Sequence, residues 1–190
     1  SGIQLDLLVS IGPNLYPVIK KYGSPLLDSL PTLCFELNFP SLNKVYSLQS
    51  KNEIGVFLDL DFDKHIQFAL QLIPDTRNVY VFSGSSDLDR KYAGAFELAL
   101  RGFGNKYKIT WFAGLGIPGL IDVVQNLPGN SIIFFTTYQS DTAGNTYYGR
   151  EIIKAITGFS NAPIFVMLNS AIEGTVGGLA VNTSQLGDKL

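Results

Sequence analysis

The 190-residue chain has one cysteine, one histidine, one methionine and one tryptophan. With Cys34 and His65 each standing alone, an intrachain disulfide, a Cys/His zinc cluster and a Ser-His triad using any other histidine are all excluded. Cys34 falls in a stretch that reads as a strand, where a buried, inert thiol is the expected state. Basic charge is also sparse: 14 Lys and Arg face 16 Asp and Glu, and nothing gathers them into a stripe. Electrostatic binding of nucleic acid is therefore not expected, nor is a polybasic membrane patch. The longest apolar run, around 131–135, is far shorter than the roughly 20 residues of a membrane-spanning helix. No basic start leads into a hydrophobic segment, as expected of a cytoplasmic protein or of a piece whose targeting and anchoring parts lie elsewhere. A glycosylation sequon, Asn182-Thr183-Ser184, is formal only. What the chain does have is 46% hydrophobic residues, enough for a core in one domain or two small lobes.

Prolines organise the rest. Leu30-Pro31-Thr32, Ile73-Pro74-Asp75, Leu127-Pro128-Gly129 and Ala162-Pro163-Ile164 each stop a helix and release the chain into an extended run. Proline cannot continue a helix, and it biases the residue before it toward extended geometry. The runs that follow, 32–37, 79–83, 132–137 and 164–168, are rich in branched and aromatic side chains. Alternating β and α elements imply an α/β fold with a parallel sheet and helices on both faces. In such sheets ligands bind beyond the carboxyl ends of the strands, so the post-strand loops are where function is sought.

Along the chain, 5–11 reads as a buried strand, 12–14 as a turn and 15–22 as a helix ending at Gly23. Residues 38–52 turn to Asn, Ser, Lys and Gln without periodicity and read as a connection. After an extended 55–60, Asp63 reads as an N-cap before the stripe Ile66, Ala69, Leu70 and Ile73. Asp87 or Asp89 opens a helix with the stripe Tyr92, Phe96, Leu100 and Phe103, closed by Gly104. A strand over 109–112, a helix over 120–127, a helix marked by Ile152, Ile153 and Ile156 and ending at Gly158, and a last strand over 176–181 complete the pattern. His65 reads as a solvated surface residue.

Four motifs carry possible chemistry. Asp59-Leu60-Asp61 after an apolar run resembles the first motif of haloacid-dehalogenase-type phosphatases, with one carboxylate as nucleophile and the other handling the proton. Asp63 stands where that motif has Thr or Val, and no paired acidic motif follows. An EF-hand is excluded, because Lys64 and Leu70 occupy the Gly and Glu positions of its loop. Gly114-Leu115-Gly116-Ile117-Pro118-Gly119 matches a dinucleotide fingerprint with Asp141 as ribose acid, but Pro118 removes a backbone donor and a plain turn is the competing reading. Ser83-Gly84-Ser85-Ser86-Asp87 leads from strand to helix, where N–H groups and hydroxyls suit an anion or simply cap a turn. The polar loop 138–148, with Tyr138, Gln139, Ser140, Asp141 and Asn145, and Asn169 after the next strand, supply aromatic and polar groups for an organic ligand.

The run from Arg77 to Arg90, continuing through Ala95 to Leu100, resembles the opening of the second lobe in ABC-transporter-type substrate-binding proteins of the type 1 periplasmic binding fold. Asn161 to Phe165 with Gly174 to Gly178 resembles a later part of that lobe, and Leu7 to Asn14 a strand and ligand-facing turn of the first. The resemblance is to the form found in extracytoplasmic sensor domains of membrane histidine kinases. It implies parallel-sheet, Rossmann-like lobes with the first truncated, a partial N-terminal lobe over 1–56 and a C-terminal lobe over 57–190. It further implies a clamp that closes on a small molecule, and a place on the periplasmic or extracellular face of a bacterial inner membrane protein, with any membrane span in flanking segments.

The expected function is therefore a small-molecule-binding sensor or solute-binding domain, without catalysis or cofactor of its own; a kinase would lie elsewhere. The expected ligand is an amino acid or a carboxylate, nucleic acid is not expected as a partner, and a homodimer is compatible. The expected contacts are Gly12, Asn14, Asp59, Ser83, Ser85, Tyr138, Asp141 and Asn169: serines and backbone for a carboxylate, Asp141 for an amine, Tyr138 for an apolar or aromatic face. The rival readings are a phosphatase built on Asp59 and Asp61, and a structural or dimerising module without ligand.

Overall fold

A computed structural model describes residues 5–12, 15–23, 29–38, 52–167 and 173–179. The chain divides into two compact units, Ser1–Leu60 and Asp61–Leu190, a few residues past the 56/57 boundary read from the sequence. Among the described residues no helix is long and apolar enough to cross a membrane.

The first unit contains β1 (Leu8–Ile11), α1 (Leu15–Tyr22), β2 (Thr32–Asn38) and β3 (Glu53–Asp59). The three strands are parallel in the order β1-β2-β3, with Ser10 beside Cys34 and Cys34 beside Gly55. The sequence reads the first of these as a buried strand from Leu5; it is a four-residue edge strand instead. Ser10 is buried, while Val9 and Ile11 are 46% and 67% exposed. Strand side chains alternate between faces, so only the Ser10 and Cys34 face of this edge is enclosed. Cys34 is buried there, as its strand position suggests.

The second unit runs α2 (Phe62–Leu72), β4 (Asn78–Ser83), α3 (Asp87–Arg101), a short 3₁₀ turn (Gly104–Lys106), β5 (Lys108–Ala113), α4 (Ile117–Gln125), β6 (Ser131–Phe135), α5 (Gly149–Thr157) and β7 (Ile164–Val166). Its sheet is parallel throughout, in the order β5-β4-β6-β7. Alternation along β4 and β6 divides the core in two. Tyr80, Phe82, Ile133 and Phe135 pack with Leu120 and Val124 of α4 and with Ile152, Ile153 and Ile156 of α5. On the opposite face Phe134 lies 5.0 Å from Phe96 of α3 and 5.8 Å from Phe165, ring centre to ring centre, and Phe96 meets Phe62 of α2 edge-on at 5.4 Å. Both faces of the sheet are thus covered, the arrangement that parallel strands require.

Several local expectations are corrected. The N-cap of α2 is Asp61, whose carboxylate accepts from the Lys64 N–H at 3.0 Å, and Asp63 lies inside the first turn. The buried stripe of α2 is accordingly Phe62, His65, Ile66 and Ala69. His65 is therefore not a surface residue: it is 0% exposed, lies 5.5 Å from the Phe134 ring, and among the described residues neither ring nitrogen has a hydrogen-bond partner. Ser86, not Asp87 or Asp89, caps α3. The stretch expected as a last strand over 176–181 makes an isolated parallel bridge, Gly177 to Phe165, and its residues from 180 on lie outside the described ones. Gly177 has φ of +90°, a left-handed geometry that breaks a ladder.

Candidate functional site

At the carboxyl edge of the second unit's sheet, three loops are tied to one another. The loop after β4 is held to the loop after β6 by Gly84 N–H donating to the Thr137 carbonyl and Ser85 N–H to the Ser140 carbonyl, both at 2.8 Å. The Ser85 hydroxyl adds contacts with the Ser140 carbonyl and hydroxyl at 3.2 and 3.1 Å. The loop after β5 joins through Gly114, whose carbonyl accepts from the Thr142 N–H at 2.9 Å and its hydroxyl at 3.0 Å, and whose N–H donates to the Ser83 carbonyl at 2.8 Å.

Asp89 is the fastener of this assembly. It is wholly buried, and its carboxylate accepts from the Ser86 N–H at 3.1 Å while the Ser86 hydroxyl accepts from the Asp89 N–H at 3.1 Å, a reciprocal cap on α3. The same carboxylate accepts from the Gln139 N–H, at 3.0 Å for the nearer oxygen. Such close approach demands glycine nearby: a Cβ on Gly84 would come within 2.2 Å of the Asp89 carboxylate and 2.8 Å of the Ser140 carbonyl. Gly114, at φ of +67°, would place a Cβ 2.8 Å from Thr142 Cγ2 and 2.9 Å from Ser85 Cβ. The dinucleotide-like glycine pattern thus has a local cause, since its first glycine lets two loops pack on one another.

The loop 138–148 is ordered from within. Asp141, 4% exposed, accepts from the Asn145 N–H at 2.9 Å, the Asn145 amide at 2.8 Å and the Tyr147 hydroxyl at 2.7 Å. The Asn145 amide first, then the Tyr147 hydroxyl, hold the Asp141 carboxyl below the usual carboxylate range, and the same bond raises the Tyr147 hydroxyl. Tyr138 is 2% exposed, stacks on Phe135 at 5.7 Å and donates its hydroxyl to the Leu115 carbonyl. Burial, followed by the nearby Asp141 charge, pushes that hydroxyl well up.

Of the residues expected to contact a ligand, Ser83, Ser85, Tyr138 and Asp141 do meet at this edge. Ser83 is buried and Ser85 half-buried, whereas Tyr138 faces the core and Asp141 is consumed by its own loop. In the first unit Gly12 follows β1 at φ of +117°, its N–H donating to the Phe35 carbonyl at 3.0 Å, and Asp59 ends β3 in register with Asn38. Asn14 and Asn169 lie outside the described residues. Asp61, the second carboxylate of the phosphatase-like motif, is bound to Lys64: the backbone N–H first, then the ammonium at 2.9 Å, hold it below the usual carboxylate range. Among the described residues no group of three or more His, Cys, Asp or Glu is placed to hold a metal ion.

Sequence reasoning missed Arg90. Its exposed guanidinium donates to the Ser85 carbonyl and to the Asp87 carboxylate, setting a positive charge beside the serine turn. Its position one turn into a helix that follows a strand was the available signal. The accessible face of the edge comprises half-buried Ser85, Ser86, Ser140 and Tyr147, with exposed Gln139, Thr142 and Tyr148.

No family model matches the chain, and no curated protein does. Among solved structures, an ABC domain in complex with L-Trp from Streptococcus pneumonia is 16% identical, with a TM-score of 0.61, over 97% of this chain and 62% of that one. Full-length LpoA and the LpoA C-domain, a regulator of PBP1A, both from Haemophilus influenzae, are each 15% identical with a TM-score of 0.40 over 84% of this chain. They are covered to 27% and 47% of their own lengths, so the chain spans less than two thirds of each of the three. What is shared with the ABC domain at that identity is the fold: the chain has parallel-sheet, Rossmann-like α/β lobes, consistent with a periplasmic-binding-like fold.

Proposed function

We propose that the chain is an extracytoplasmic small-molecule-binding domain of the solute-binding or sensor type, in which the carboxyl edge of the second unit's sheet receives the ligand's polar end. The observation that carries this reading is the interlocking of the loops after β4, β5 and β6 through Gly84, Ser85, Ser140, Gly114 and Thr142. A pre-ordered edge pays little entropy when a ligand arrives. Hydroxyls of Ser85 and Ser86 at the start of a 15-residue helix, with the Arg90 guanidinium beside them, favour a carboxylate. Tyr147 and Tyr148 offer ring surface to the remainder of the molecule. Roles first assigned to Tyr138 and Asp141 pass to these neighbours, with Tyr138 and Asp141 shaping the loop. The fold's likeness to a domain that holds L-Trp makes amino acids and small carboxylates the first compounds to test. The histidine kinase context, with the domain on the outer face of a bacterial inner membrane, belongs to the same proposal and rests on the sequence resemblance.

A thermal-shift screen of amino acids and small carboxylates tests the binding. A ligand at about a hundred times its Kd raises the melting temperature by roughly 5–10 °C for a chain of this size. Arg90→Met removes most of that shift without lowering the ligand-free melting temperature by more than about 2 °C, because Arg90 is solvent-exposed. The absence of a shift with every compound at millimolar concentration would sink the reading. The domain itself is proposed to be non-catalytic, and Asp61 serves as a helix cap. Magnesium-dependent phosphoester hydrolysis lost in Asp59→Asn would reverse that assignment.

A further inference from the structure

The C-terminal turn of α3, the Gly104–Lys106 turn and the first part of β5 line an open hollow of about 250 Å³. It lies toward the amino ends of the strands, at the sheet edge opposite the loops described above, and shares no residue with them. Its construction follows from two periodicities. Glu97, Leu100 and Arg101 stand at i, i+3 and i+4 on one face of α3, and Ile109 and Trp111 stand at i and i+2 on one face of β5. Leu100, Ile109 and the half-buried Trp111 make an apolar floor, and the indole is steadied edge-to-face by Phe96 at 6.5 Å. Gly104, at φ of +64°, turns the chain across the mouth, and a Cβ there would meet nothing within 4 Å. Among the described residues β5 is the end strand of its sheet.

The charges at the mouth select the ligand. Arg101 and Glu97 bond to each other at 2.9 Å while remaining 69% and 52% exposed. A solvated pair of this kind contributes little and exchanges readily. A lone carboxylate would gain Arg101 but meet the charge of Glu97, and a lone amine the reverse. A zwitterion exchanges one ion pair for two and lays an apolar body on Leu100, Ile109 and Trp111. The volume lies just below the ~300 Å³ at which pockets for drug-sized ligands begin and equals roughly eight waters of liquid, which suits a body of a few carbons. We propose that this hollow is a second small-molecule site, for a free apolar α-amino acid bound through its ammonium to Glu97 and through its carboxylate to Arg101.

Trp111 is the chain's one tryptophan, so its emission reports on the hollow. Titration with L-leucine is expected to give a saturable change in Trp111 emission. Isovalerate and 3-methylbutylamine, which each lack one of the two charges, are expected to need about ten-fold more for half-saturation. Arg101→Met and Glu97→Gln, both at exposed positions, raise the L-leucine midpoint about five-fold or more, while Ser85→Ala and Arg90→Met leave it unchanged. The proposal is overturned if no saturable change occurs at tens of millimolar, if the Arg101 and Glu97 variants titrate like the parent chain, or if the midpoint moves with Ser85 and Arg90 instead. The last outcome would place the amino acid at the strand-end edge, and loss of response at the edge alone would leave the hollow intact.

Discussion

His65 carries the clearest pH dependence of any single residue. It faces inward from α2, with Phe134 on one side and the backbone of Gly178 so close on another that a Cβ there would come 2.3 Å from Cε1 and 2.8 Å from Nδ1. Burial disfavours the imidazolium and brings its pKa down to about 4. In the unfolded chain the group titrates near 6.5. Its contribution is therefore fully present above about pH 6.5 and is lost as pH falls toward 4, because there the unfolded state takes up the proton and the folded state does not. The depression corresponds to about 3 kcal/mol at the low end of that window. Unfolding free energies from urea titrations at pH 7.5 and 4.5 should differ by most of that amount, and His65→Leu should shrink the difference; an unchanged difference in the variant would assign it to carboxylates instead. The residue was misread from sequence for a physical reason. The stripes 66-69-70-73 and 62-65-66-69 are four positions apart and so lie on one helix face a turn apart; a helix read as capped at Asp63 starts its stripe at Ile66 and leaves out Phe62 and His65, which the Asp61 cap brings into the first turn.

At the scale of elements, alternation and the proline junctions were legible because each rests on local chemistry. Every strand of the second sheet begins within a few residues of its expected start, and α3 ends close to Gly104. The exceptions are places where backbone geometry or edge position overrides composition, such as Gly177 and the exposed side of β1. The start of α3 shows why a cap matters beyond its helix. Ser86→Ala removes an N-cap and should cost about 1 kcal/mol. Asp89→Ala should cost more, about 2–4 kcal/mol, since it strands both the Ser86 and Gln139 N–H groups and frees the loop after β6 from α3. The two changes share one reciprocal pair, so the double variant should be less destabilised than the sum by at least about 0.5 kcal/mol. Strict additivity in denaturant titrations would show that the cap and the loop tether act separately.

For the whole molecule, fold class could be read from the chain, whereas the direction of polar side chains at the strand ends could not. Tyr138 and Asp141 sit in the expected loop, yet one turns to the core and the other binds Asn145 and Tyr147. A tyrosine and an aspartate in a post-strand loop look the same in sequence whether they face a ligand or build the loop, and only the packing of Gly84 and Gly114 decides between these. The second unit has both faces of its sheet covered by its own helices, through Phe62, Phe96 and Phe134 on one side and Leu120, Ile152 and Ile156 on the other. A sheet closed on both sides from within one segment meets the requirement for a domain with its own core. Residues 61–190 expressed alone should therefore unfold in one cooperative transition with retained near-ultraviolet dichroism. They should also keep the acid sensitivity of the full chain, because Phe134 and Gly178 belong to the same unit as His65. A fragment that binds hydrophobic dye and melts without a transition would mean that the second core depends on the first sixty residues.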